Sequence, residues 1–199
     1  MLSVGFHDVP AGKAAAIVTS LEMFAPPPLR PEVETAAWTL RRLPNPTIET
    51  YRALYTAVGR DWLWFMRLRM PDAELAALLA DPAVEVYRLE APGGELGMLE
   101  LDFTEPETCE LAFFGVTKGL VGGGAARWLM NRAIRRAWSQ PIKRFWVHTC
   151  TFDHPSAPQF YMRSGFTPFR REVEIIDDPR LDGLAPLDSA PHIPVIRPA

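Results

Sequence analysis

Apolar and polar positions recur along this chain with two different periods, and the switches between them mark its elements. Trp38 to Leu43 reads as a short strand, and Thr47 stands where an N-cap belongs, ahead of a helix from Ile48 to Val58. Tyr51, Leu54, Tyr55 and Val58 recur there as one helical stripe, and Gly59 ends it. Asp61 can cap a second helical piece over Trp62 to Met66. Pro71-Asp72 opens a third, with Leu75, Leu78 and Leu79 turned inward. Val84 to Leu89 then alternates with period two, turns at Pro92-Gly93-Gly94 and returns over Leu96 to Phe103, which is a hairpin pattern. Thr108 to Val116, Arg144 to Cys150 and Pro168 to Ile176 are three further strands. The helix between the first two of these spans Arg127 to Trp138. Its pattern sets Ala126, Leu129, Met130, Ala133, Ile134 and Ala137 on one side, with Trp128, Asn131, Arg132, Arg135 and Arg136 largely on the other.

The two ends follow neither period. Ala14 to Met23 reads as an extended segment, and Pro26-Pro27-Pro28 with Pro31 makes a stiff spacer after it. This predicts an N-terminal extension over residues 1–36, a main domain over 37–177 and a proline-rich surface tail over 178–199. The extension either covers the sheet or reaches to a partner subunit. At 199 residues and 48% hydrophobic content, one good core and a single main domain are expected.

Charge changes the picture only locally. The net charge of −3 gives no general pull toward nucleic acid or an anionic membrane. From Leu111 to Phe152 there is no acidic residue, yet Lys118, Arg127, Arg132, Arg135, Arg136, Lys143 and Arg144 are present. That run is either a solvated helix face or a basic rim for phosphates. A nucleic-acid role would rest on this helix alone. Cys109 and Cys150, near opposite ends of different strands, suit a reducing compartment better than a disulfide. Without a basic signal region or a long apolar run, a cytoplasmic protein is expected. No metal-ligand spacing occurs.

The candidate chemistry centres on Val121-Gly122-Gly123-Gly124-Ala125-Ala126, set between the strand ending at Val116 and the following helix. Strand, glycine turn and helix start together expose backbone N–H groups that lack partners, in the positive end of the helix dipole, and so favour a phosphate. No Gly-Lys-Ser/Thr follows, so this is not a Walker loop, and the dinucleotide-binding spacing fails too. The second strand, Arg144 to Cys150, leads into Asp153-His154-Pro155 and a helix ending Tyr161-Met162-Arg163-Ser164-Gly165-Phe166.

Taken together these residues resemble the Gcn5-related N-acetyltransferase (GNAT) family, over roughly residues 38 to 177. Val121, Gly124 and Ala126 fall on the three defined positions of its phosphate loop, Gln/Arg-x-x-Gly-x-Gly/Ala, and Tyr161, Gly165 and Phe166 match its Tyr-x-x-x-Gly-Phe. The resemblance implies an α/β (α+β) acyl-CoA N-acyltransferase fold, a mixed central sheet flanked by helices whose fourth and fifth strands splay apart. It implies acetyl-coenzyme A as cofactor and transfer of acetyl to an amine, a small molecule or a peptide, by direct attack in a ternary complex. The other reading keeps the fold as a non-catalytic acyl-coenzyme A-binding or sensing module. A homodimer is left open, and no nucleic acid or membrane is expected as a partner.

The resemblance also implies roles. Gly122, Gly123, Gly124, Ala125 and Ala126 would grip the phosphates, with Val121 in place of the family's Gln or Arg and Gly123 where a basic residue is common. Those two departures predict weaker cofactor binding. Phe114, Gly115 and Val116 would line the cofactor's arm, the Val116 N–H meeting the thioester oxygen. Tyr161 would give the departing thiolate a proton, or else is a packing aromatic. Glu110 would be the general base, or else a strand-edge charge. His154 would touch the pantetheine arm, act as a base, or only enter a helix. His148 reads first as a buried histidine, Cys150 less readily as a nucleophile, and Trp62, Trp64 and Phe65 as core, subunit contact or the wall of an apolar acceptor pocket.

Overall fold

The period-two segments become strands of one sheet. A computed structural model describes residues 3–33 and 37–199, so the boundary drawn at residue 36 lies outside the described residues. The strands are β1 (Lys13–Met23), β2 (Thr39–Arg42), β3 (Val84–Glu90), β4 (Leu96–Asp102), β5 (Thr108–Val116), β6 (Arg144–Cys150) and β7 (Thr167–Asp177). They lie side by side in the order β2-β3-β4-β5-β6-β1-β7. Only β5 and β6 run parallel; the other neighbours are antiparallel.

Helices cover both faces because the strands are apolar on both. On one face α1 (Ile48–Gly59) and α3 (Asp72–Ala80) pack Tyr51, Leu54, Tyr55, Leu75 and Leu79 against Val86 and Met98. On the other, α4 (Ala125–Ala137) and α5 (Ala157–Arg163) pack Leu129, Met130, Ala133 and Tyr161 against Leu21, Leu99, Phe145 and Val147. Each large aliphatic side chain buried this way contributes about 1.5–3 kcal/mol. The predicted cap is present: the Thr47 hydroxyl accepts from the Thr50 amide at 3.3 Å. Among the described residues no helix is long and apolar enough to cross a membrane.

Three findings differ from or add to the sequence reading. The extended segment Ala14 to Met23 lies within the sheet, between β6 and β7. Strands counted fourth and fifth from Trp38 are therefore β5 and β6. The helix expected over Trp62 to Met66 is broken: a single 3-10 turn ends at Trp62, Leu63 takes φ +53°, and the short helix α2 (Met66–Arg69) begins only at Met66. The break buries Leu63 in a satellite core with Phe152 and Ala190 and turns Trp64 toward Tyr55 and Phe113. Finally, Trp128 and Asn131, placed on the outer side of α4, are buried. The proline-rich segment covers them, and the Asn131 amide donates to the Arg30 carbonyl and to the Glu32 carboxylate, each at 2.9 Å.

Candidate active site

Strands β5 and β6 pair through three residues, Thr108 with Arg144, Cys109 with Phe145 and Glu110 with Trp146, and then part. The parting has a local cause. Glu100 of β4 faces Phe113 while Leu101 faces Leu111, which leaves Ala112 as an extra residue just past the last pair. A bulge of this kind bends and overtwists its strand. Beyond it, Thr117 donates its N–H to the Leu96 carbonyl at 2.8 Å, fixing that pair as a hydrogen-bonded one. Antiparallel pairs alternate, so the amides of Val116 (opposite Gly97) and Phe114 (opposite Leu99) point away from β4, into the gap.

On the α4 side the gap opens into a cleft of about 470 Å³, inside the range of small-ligand sites. Its walls include Phe114, Gly115, Val116, Val121, Gly122, Gly124, Ala126, His154 and Tyr161. Gly122 and Gly124 hold φ of +82° and +90°, a region that a side chain rarely allows, and so turn the chain into α4. Not every amide of the turn is free. Val121 donates to the Lys118 carbonyl at 3.2 Å and Gly123 to that of Leu120 at 3.3 Å. Among the described residues, the amides of Gly122, Gly124, Ala125 and Ala126 have no such backbone partner outside α4. Gly123 thus belongs to the turn more than to the grip, and neither it nor Ala125 lines the cleft.

The side-chain charge missing at Val121 and Gly123 comes from elsewhere. Arg30, Arg127 and Arg163 all line the cleft. Burial, then the like charges of Arg127 and Arg163, push the Arg30 pKa down. Three cations gathered around the free amides form an anion site. The basic run read from the sequence contributes only Arg127. Arg132 is paired with Glu32, Arg136 with Glu85, Lys143 with Glu107 and Arg144 with Glu22. No motif marks Arg30 or Arg163, which lie outside the phosphate loop.

On the α1 side the gap continues into a smaller recess of about 80 Å³. The two hollows share Trp62, Trp64, Phe114, Asp153 and Tyr161. Glu110 and His148, from β5 and β6, meet where the strands part: the His148 Nδ1 lies 3.5 Å from a Glu110 oxygen. Hydrogen bonding to Glu110 raises the His148 pKa above its ordinary value, against the lowering effect of burial, with Asp153 and Glu174 adding to the rise. His148 lines the recess and its side chain is 37% exposed, so the strand-centre histidine is not sealed in the core. Tyr161 is packed among Phe114, Phe160 and Phe166, and burial, then Asp153, raises its phenol well above the ordinary range. The Cys150 thiol is pushed up to about 12 by burial, then by Asp153, which makes it a poor nucleophile. His154 accepts the Ser156 amide on Nδ1 at 3.1 Å and sets its ring edge-on to Trp62, 5.2 Å between centroids.

Residues 52–166, more than half of the chain, match the family model described as "Acetyltransferase (GNAT) family". No curated protein matches the sequence. Among solved structures, the chain is similar to a functionally unknown conserved protein from Staphylococcus epidermidis ATCC 12228, at 13% identity and a TM-score of 0.55, over 84% of this chain and 63% of that one. It is similar to a GCN5-related N-acetyltransferase from Sphaerobacter thermophilus, at 18% identity and a TM-score of 0.57, over 85% of this chain and 53% of that one. A GCN5-related N-acetyltransferase from Kribbella flavida matches at 16% identity and a TM-score of 0.55, over 86% of this chain and 63% of that one. At these identities the likeness is one of fold. The chain spans between about half and two thirds of the length of these three proteins.

Proposed function

This chain belongs to the acetyltransferase (GNAT) family, and from that premise we propose that it moves an acetyl group from acetyl-coenzyme A to an amine by direct attack, with both reactants bound together. The observation that carries the reading is the gap between β5 and β6. It joins a cleft with free amides and three arginines on one side to a recess with a histidine–carboxylate pair on the other.

The residues fit the cofactor. Gly122, Gly124 and Ala126, with Arg30, Arg127 and Arg163, would hold its phosphates, and the lining residues Phe114, Gly115, Val116 and His154 would bound its arm. Acetyl-coenzyme A would supply an acetyl thioester at the gap. The Val116 amide, fixed by the strand, is placed to donate to an oxygen that gains charge, and preorganised donors of this kind lower the barrier most. His148, held by Glu110, takes the proton that keeps the amine from attacking. Glu110 then acts through His148, a division of labour the sequence did not foresee. Tyr161 faces the departing sulfur. Its raised pKa makes complete proton transfer to a thiolate, whose acid has a pKa of about 8.5, uphill. Tyr161 therefore stabilises the sulfur by donating a hydrogen bond. The amine gives up two protons, which His148 passes to solvent in turn, and the leaving thiolate takes one back from solvent.

Thiol release measured with a panel of amines tests the reading. The chain should release coenzyme A above the rate of hydrolysis, and Tyr161→Phe should lower turnover by roughly 10²-fold while leaving cofactor affinity nearly unchanged. A chain that binds the cofactor and releases nothing is a sensor. An equal loss of binding in Tyr161→Phe would make that ring a packing residue.

A further inference from the structure

Resting on the acyl-transfer reading, we propose that the acceptor is a primary monoamine on a compact apolar or aromatic body that carries no acidic group. The recess beyond the gap presents the indole rings of Trp62 and Trp64, together with the carboxylates of Asp153 and Glu174; Arg69 and Arg67 already lie over the rings of Phe65 and Phe113, at 4.9 and 5.1 Å. Aromatic faces and carboxylates together attract an ammonium group, and the same rings hold an apolar body. Asp153 is fixed in place: its oxygens accept from the Thr149 hydroxyl at 2.7 Å, the Cys150 amide at 3.0 Å and the Trp64 indole at 3.4 Å. Glu174 stands across from it on β7, an exposed strand position that gives it freedom to meet an entering cation.

Among the described lining residues the group that can carry positive charge is His148, and it must be neutral to act as the base. No arginine or lysine is among its described lining residues. The arginines of the segment that supplies Trp62 to Met66 are engaged: Arg60 with Asp188, Arg67 with the fully buried Glu100, and Arg69 with Asp182. An amino-acid carboxylate or a sugar phosphate would be set against Asp153 and Glu174 with no opposite charge, and burying such a pair is costly. Size is limited as well. The C-terminal segment closes one side, with the His192 Nε2 3.1 Å from the Phe152 carbonyl oxygen and its ring 5.8 Å from that of Trp62. A recess closed on that side admits a compact body more readily than a polyamine sugar.

The test is thiol release by the full chain at saturating acetyl-coenzyme A with 2-phenylethylamine, phenylalanine and kanamycin, beside a calorimetric titration with coenzyme A. We expect kcat/KM for 2-phenylethylamine to exceed that for phenylalanine by about 100-fold, since the two differ only in the carboxylate. Glu174→Gln should raise KM for 2-phenylethylamine about fivefold, with kcat held on the alkaline plateau where His148 is already neutral. Equal or better turnover of phenylalanine or kanamycin overturns this inference and leaves acetyl transfer standing. Coenzyme A binding with no amine consumed overturns the inference in favour of the sensor reading, and absence of coenzyme A binding overturns both. An unchanged KM in Glu174→Gln overturns the part given to that carboxylate.

Discussion

Glu110 and His148 stand 38 positions apart in the sequence, yet their side chains meet because β5 and β6 pair only as far as Glu110. A base works in its neutral form. Glu110 raises the His148 pKa above 6.5, so activity should fall on acidification with a midpoint above 6.5, where an isolated histidine would titrate. Stability depends on pH in the opposite sense: the pair stabilises the fold below the histidine's ordinary pKa, and that contribution is lost as pH rises through the raised one. Glu110→Gln should move the acid limb of kcat/KM down toward about 6.5 and lower the plateau. A limb that stays in place in that variant would show that Glu110 does not act through His148.

Between elements, the proline-rich stretch and α4 make one unit. Asn131, only 2% exposed, ties the Arg30 backbone down, and the adjacent Arg132 holds Glu32 while stacking over Trp128 at 3.5 Å. The spacer thereby delivers Arg30 to the cleft, opposite Arg127 and Arg163. A charge-assisted contact to phosphate contributes about 1.5–3 kcal/mol. Arg30→Ala should therefore raise the coenzyme A dissociation constant roughly 10- to 100-fold. Asn131→Ala should reproduce part of that loss without touching a charge. Calorimetry in low and high salt checks both, because the advantage given by Arg30 shrinks as salt screens it. An affinity that ignores Arg30 would return the phosphate grip to the backbone amides alone.

At the scale of the molecule, β1 is what joins the last strand to the rest. In the sheet β7 has β1 as its one neighbour among the described strands, and β1 also pairs with β6 from Val18 to Met23. Glu174, Asp178 and the C-terminal segment all follow from that placement: Asp178 and Arg180 form a buried pair, and Arg180 also donates to the carbonyls of Ser189 and Ile193. A chain starting at Ala25 would leave two strand edges without partners and open the recess wall. It should lose its cooperative unfolding transition by circular dichroism and urea titration, since each buried backbone group left unpaired costs about 1–3 kcal/mol. A sharp, unshifted transition in that shortened chain would show that β1 is an ornament on an already complete sheet.

The sequence by itself determined what depends on neighbours along the chain. The Thr47 cap, the Pro92-Gly93-Gly94 hairpin, the glycine turn before α4 and the strand–helix order around it are local matters of backbone conformation and apolar period. These sufficed for the fold and for Val116, Gly122, Gly124, Ala126 and Tyr161 as linings of one cleft. Tertiary structure alone decided which charges are spent and which are free. Most of the basic run is neutralised by acids from distant strands and loops, while Arg30 and Arg163 gather where no motif marks them. It also decided that Glu110 meets His148 where the strands part and that Glu174 lines the recess. Charge acts through space over several ångströms whatever the separation in sequence, and no periodicity along the chain records where two strands stop pairing.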